Sequence, residues 1–182
     1  VAFVFQGEHE QRREMTYAAL GALVARLARV LEEAGVGPGD RVGGYLPNMP
    51  ETAAAMLATV AIGATWSSCS PDFGVQGVVD RFGQIEPKVL FTADGYFYNG
   101  RALDCLDKVR DIVAAIPSIG QVIVVPYAGS DFELASIPGA SPLDEAIEPF
   151  RGLEAGELRF VRVPFDHPLY VMYSSSTTDA TK

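Results

Sequence analysis

Short strand-like runs alternate along this chain with segments whose apolar residues recur every three to four positions. The runs fall at 41–46, 65–69, 88–92, 121–125 and 169–173. Between them, Leu20, Leu23, Val24, Leu27, Val30 and Leu31 mark one helical face. Val75, Val78, Val79, Phe82 and Ile85 mark another, and Leu103, Leu106, Val109, Val113 and Ile116 a further one. A period of 3.6 interleaved with short strands, at roughly 25 to 30 residue spacing, requires right-handed βαβ crossovers. The expected fold class is therefore α/β, a mostly parallel sheet with helices on both faces.

Local signals set the expected boundaries. Residues 1–5 read as a strand. Thr16 can cap a helix running to about Ala34, with Gly35 at its stop. Pro47, Asn48, Met49 and Pro50 turn the chain into a helix over 51–62. Ser70, Pro71 and Asp72 begin the next helix, and Pro117 ends the one after it. Residues 126–159 are looser, with one short helix from Ser141 and Pro142 to before Pro149, and 151–159 reads as an exposed connector. The 182 residues suffice for a single domain with a full core.

Composition excludes several function classes. The net charge is −9, and the 14 Lys and Arg form no stripe, so nucleic acid is not an expected partner. No apolar run approaches the ~20 residues of a membrane span, and no signal peptide is expected. Two cysteines, Cys69 and Cys105, with two histidines, make neither a disulfide framework nor a metal set. Reduced thiols in a cytoplasm are the default. The chain lacks an initiating Met and ends on Lys182, so it reads as a segment of something longer.

In open parallel sheets ligands sit beyond the carboxyl ends of the strands. Three loops there carry the chemistry: 47–50, 69–74 and 174–182. In the last, Ser174, Ser175, Ser176, Thr177 and Thr178 follow the strand 169–173, and Lys182 closes the run. Hydroxyls and backbone N–H groups donate to phosphate oxygens, and a lysine adds positive charge. The same run also reads as a solvated Ser/Thr loop. No Walker lysine motif and no Gly-x-Gly-x-x-Gly is present, so neither a kinase-like nor an NAD-type site is expected. His167 reads as a turn residue, and Trp66 as a sheet residue. Cys69 reads as a small core or loop residue without a partner base. Arg81 and Glu86 read as the solvated face of a helix.

The run 173–182 resembles the phosphate-binding motif of the adenylate-forming superfamily, whose usual form is Tyr-Ser-Ser-Gly-Thr-Thr-Gly-x-Pro-Lys. The blocks 63–74 and 80–91 resemble the acetoacetyl-CoA synthetase family within it, as do Asp94, Gly95 and Tyr96, the run Tyr98, Asn99 and Gly100, and 166–170. The resemblance covers essentially the whole chain. It implies part of the large N-terminal domain of the adenylate-forming fold, without the mobile C-terminal domain. It also implies a cytoplasmic, two-step ligase of lipid metabolism. Acetoacetate attacks the α-phosphate of ATP, Mg2+ bridges the phosphates, and coenzyme A then displaces AMP. Ser174, Ser175, Ser176, Thr177, Thr178 and Lys182 match the phosphate loop. Asn99, Gly100 and Arg101 match a coenzyme A contact, and Arg101 reads equally as a solvated arginine at a helix start.

Three positions depart from the motif: Ser176 and Asp179 stand where the family has glycine, and Thr181 where it has proline. Glycine permits positive φ and close backbone approach to an anion. A carboxylate near 4 Å from a phosphate charge costs roughly 4 kcal/mol at an effective dielectric near 20. Two alternatives therefore stay open, a non-catalytic adenylate-forming domain serving as a binding module, and a sister ligase for another short carboxylate. The adenine pocket, the carboxylate pocket and the C-terminal domain would follow Lys182, so residues 1–182 alone are expected to be inactive.

Overall fold

The computed structural model describes residues 1–8, 12–129 and 133–173. The central sheet holds five strands: β3 (Arg41–Tyr45), β4 (Thr65–Cys69), β5 (Val89–Ala93), β8 (Gln121–Val125) and β9 (Ala140–Pro142). Their spatial order is β4-β3-β5-β8-β9, and every pairing is parallel. The expected α/β class and parallel sheet are therefore observed.

Alternation within each strand divides the core into two layers. Val89, Phe91 and Ala93 of β5, with Ile123 and Val125 of β8, face α1 (Tyr17–Glu33) and α2 (Pro50–Ala61). Leu90, Val122 and Val124 face α3 (Val75–Ile85) and α4 (Leu106–Ala115). Strands buried on both faces read as continuous apolar runs, which is why β5 and β8 were legible. Thr16 caps α1 as expected, its Oγ1 accepting from the Ala19 N–H at 3.1 Å. The indole of Trp66 in β4 lies over Gly44 of β3, where a Cβ would come within 2.4 Å of the ring. Trp66 packs in the sheet, as expected, and requires the missing side chain beside it.

Several boundaries differ from expectation. The amino-terminal strand, β1 (Phe3–Gln6), pairs antiparallel with β2 (Arg12–Met15) in a separate ribbon. Helix α3 begins at Val75 rather than at 70–72, because the Pro71 and Phe73 carbonyls are held by the Tyr45 hydroxyl. Leu103 belongs not to α4 but to a hairpin, β6 (Gly95–Tyr98) and β7 (Arg101–Asp104). Its turn residues, Asn99 and Gly100, have φ of 51° and 76°. Two positive φ values at the centre of a two-residue loop make a type I′ turn, which Asn-Gly favours. The looser stretch contains the edge strand β9, whose Pro142 costs no ladder bond there. It also holds α5 (Leu143–Ile147), near the expected short helix.

The expected strand at 169–173 is reduced to one parallel bridge between Tyr170 and Trp66. Trp66 N–H donates to Leu169 O and Val171 N–H to Trp66 O, both at 2.9 Å. The next carbonyl, Val171 O, accepts from the Ser67 hydroxyl at 2.8 Å, and no further ladder bond follows among the described residues. Among the described residues no helix is long and apolar enough to cross a membrane.

Candidate functional site

The carboxyl ends of β3, β4, β5 and β8 gather four features. The first is the loop 70–74 after β4. Tyr45, fully buried at the end of β3, shares its hydroxyl proton between Pro71 O (2.8 Å) and Phe73 O (2.7 Å). Burial pushes that phenol above its ordinary pKa, so it remains a donor. Lys108 of α4 adds a third hold, its Nζ donating to Pro71 O at 3.2 Å while lying 5.6 Å from the Tyr96 ring centre.

The second feature is Asp94, which follows β5 and is 5% exposed. One carboxylate oxygen, Oδ1, accepts from the N–H groups of Gly95 (2.9 Å), Tyr127 (2.7 Å) and Ala128 (3.0 Å). The other, Oδ2, accepts from Gly129 N–H at 2.6 Å. Asp94 thus ties the start of the β6–β7 hairpin to the loop that leaves β8. Gly95 is needed there, since a Cβ would meet Leu103 O at 2.6 Å.

The third feature is the hairpin tip. Asn99, Gly100 and Arg101 are brought together there, all exposed. Arg101 opens β7 opposite Tyr98, so the reading of it as a helix-start arginine is corrected; α4 begins only at Leu106. Gly100 N–H donates to Glu8 Oε2 at 2.8 Å, so an anion already meets this backbone donor.

The fourth feature is the end of the described chain. Because Tyr170 pairs parallel to Trp66, residues 170–173 run the same way as β4 and reach the carboxyl edge of the sheet. Tyr173 is half-buried there, and its hydroxyl donates to Arg81 O at 2.6 Å. Arg81 is not simply solvated. Its guanidinium lies 4.5 Å from the Phe73 ring centre and 5.7 Å from that of Tyr173. Ser174, Ser175, Ser176, Thr177, Thr178 and Lys182, with Asp179 and Thr181, lie outside the described residues.

His167, Cys69 and Cys105 are structural. His167 sits in a turn, as expected, and its Nε2–H donates to Gly63 O at 2.8 Å. Burial pushes the Cys69 thiol up to about 11, against the charge of Arg81, and the Cys105 thiol up to about 12. Neither is poised as a nucleophile. Among the described residues no cluster of His, Cys, Asp or Glu could hold a metal ion. The sequence reading missed Tyr45, Asp94 and Arg81 as site-building residues. Of these only Asp94 had a local signal, an Asp-Gly pair directly after an apolar strand.

The sequence model described as AMP-binding enzyme matches residues 1–182, the full chain. The chain belongs to the AMP-binding enzyme family. Within that family it is 48% identical over 182 residues to the acetoacetyl-coenzyme A synthetase of Rhizobium meliloti (strain 1021), covering 100% of this chain and 27% of that protein. It is 42% identical over 175 residues to the acetoacetyl-CoA synthetase of Gallus gallus, covering 95% of this chain and 26% of that protein. It is also 39% identical over 185 residues to a malonamoyl-CoA synthetase of Penicillium aethiopicum, covering 100% of this chain and 26% of that protein. Among solved structures, the acetoacetyl-CoA synthetase of Streptomyces lividans superimposes with a TM-score of 0.80 at 44% identity. That match covers 91% of this chain and 24% of the solved one. The chain therefore spans about a quarter of the length of the relatives it matches.

Proposed function

We propose that this chain is part of an ATP-dependent acid–thiol ligase that activates acetoacetate and passes it to coenzyme A. The observation that carries the reading is the 48% identity over all 182 residues to an acetoacetyl-coenzyme A synthetase. The geometry supports it, because Tyr173 and the hairpin tip both lie at the carboxyl end of a parallel sheet, where such folds bind nucleotides.

In the first step a carboxylate oxygen of acetoacetate attacks the α-phosphorus of ATP, and the bond to pyrophosphate breaks. In the second, the sulfur of coenzyme A attacks the acyl carbonyl, the thiol proton is lost, and AMP departs. Ser174, Ser175, Ser176, Thr177, Thr178 and Lys182 would hold the departing pyrophosphate through hydroxyl donors and one positive charge. Mg2+ would enter with ATP as part of the substrate. Asn99, Gly100 and Arg101 would meet the nucleotide end of coenzyme A, and a phosphate there would displace the Glu8 carboxylate from Gly100 N–H. Residues 1–182 would form one α/β unit of a longer cytoplasmic protein.

A second reading rests on Asp179, a carboxylate in the phosphate run, which favours a binding module without catalysis. Pyrophosphate–ATP exchange by the protein containing this chain separates the readings. Exchange stimulated by acetoacetate above malonamate and acetate is expected. Stimulation by malonamate instead would make it a sister ligase, and no exchange with any carboxylate would favour the module.

A further inference from the structure

The backbone pairing between β4 and the chain end stops at Val171 among the described residues. Three residues later the hydroxyl run begins, directly after Tyr173, so the direction in which it sets out depends on what holds Tyr173. Ser67 of β4 hydrogen-bonds the Tyr173 side chain, and the other contacts there come from α3. Tyr173 Oη donates to Arg81 O at 2.6 Å, and the Tyr173 ring centre lies 5.7 Å from the Arg81 guanidinium. The guanidinium is itself fixed in two ways. Its Nη1 donates to Gly77 O, one turn back on the same helix, at 2.7 Å. The Phe73 ring lies 4.5 Å away, and Gly77 leaves room for it, since a Cβ there would come within 3.2 Å of that ring. Phe73 belongs to the loop 70–74, whose carbonyls Tyr45 holds. A rigid chain of contacts thus runs from the sheet through Phe73 and Arg81 to Tyr173.

We propose that Arg81 is a positioning residue for the nucleotide-phosphate loop, fixing through Tyr173 the point and direction from which the hydroxyl run departs. This rests on reading that run as the phosphate site. A planar guanidinium can meet an aromatic ring on each side, which an ammonium cannot do with the same geometry. A small displacement of a phosphate cradle weakens every donor in it at once, so the effect should fall on ATP rather than on the other substrates.

The test is initial-rate kinetics on the full protein containing this chain, with ATP, acetoacetate and coenzyme A varied in turn. Arg81→Met is expected to raise the ATP KM about tenfold while the coenzyme A KM stays within about twofold. Arg81→Lys and Tyr173→Phe, which each keep part of the contact, should raise the ATP KM about threefold. Arg81→Met leaves the Arg81 carbonyl in place, so adding Tyr173→Phe removes a second, separate hold and should raise the ATP KM about threefold further. An unchanged ATP KM in Arg81→Met, with a lowered melting temperature, would make Arg81 structural only and overturn the proposal. An equal rise in all three KM values would overturn it too. If Arg81→Met does not fold, an unchanged ATP KM in both conservative variants overturns it. Lys182→Ala separates this failure from failure of the underlying reading. If Lys182→Ala raises the ATP KM and the Arg81 variants do not, only the positioning role falls; if Lys182→Ala has no effect, the phosphate site and this proposal fall together.

Discussion

Replacing Asp94 by alanine removes the acceptor for four backbone N–H groups in one step. Gly95 is buried, Tyr127 and Ala128 are half-buried, and Gly129 is exposed. Water can take over at Gly129 and in part at Tyr127 and Ala128, but not at Gly95. An unsatisfied buried donor costs about 1–3 kcal/mol, so the sum after partial rehydration is about 3–4 kcal/mol. For a chain of this size each kcal/mol moves the melting temperature by roughly 2–4 °C, which gives a drop of about 10 °C. Asp94→Asn keeps the Oδ1 position as an acceptor and sets an NH2 group against Gly129 N–H alone. Its cost should be about 1–2 kcal/mol. Calorimetry on both variants gives the ranking. Amide exchange at Gly95, Tyr127 and Ala128 should quicken in Asp94→Ala, while amides within β3 and α1 hold their protection. A melting temperature of Asp94→Ala within about 2 °C of the parent would refute this account. Equal losses in the two variants would refute the claim that Oδ1 carries most of the load.

The pH dependence of stability should contain a contribution from Asp40. Burial raises its pKa, but the Lys88 hydrogen bond, the Gly37 N–H and the charges of Lys88 and Arg41 outweigh it and leave the carboxyl below its ordinary value. A depressed folded pKa means stabilisation that is present above the unfolded value, near pH 4, and lost as pH falls through the lower folded value. Asp40→Asn should flatten the acid limb of a urea-midpoint titration, and an unchanged limb would contradict the assignment. Cys69 and Cys105, raised by burial to about 11 and about 12, should react slowly with a disulfide reagent at pH 8 in the folded protein and fully once urea unfolds it. Rapid labelling of either thiol in the native state would argue against their burial.

The alternation of strands and helices was legible in the sequence because it reflects which faces meet water. That is a local pattern, and β4 and β8 fell at the expected residues. The β6–β7 hairpin was also written locally, in Asn99 and Gly100, but Leu103 continued the helical spacing of α4 and the period was followed instead of the turn. The strand expected at 169–173 had the right composition. Composition cannot show that its pairing with β4 would be a single bridge at Tyr170, with the Ser67 hydroxyl on the Val171 carbonyl.

The sequence alone thus determined the class of fold and the family resemblance, and it pointed to the carboxyl side of the sheet, since each depends on patterns within about ten to thirty residues. Tertiary structure alone decided which side chains build that side. Asp94 meets its acceptor role through amides 33 to 35 residues away, and Arg81 meets Tyr173 across 92 residues. Both pairings exist because the loops after successive parallel strands converge at one end of the sheet, and no local pattern in the chain says which residues will face each other there.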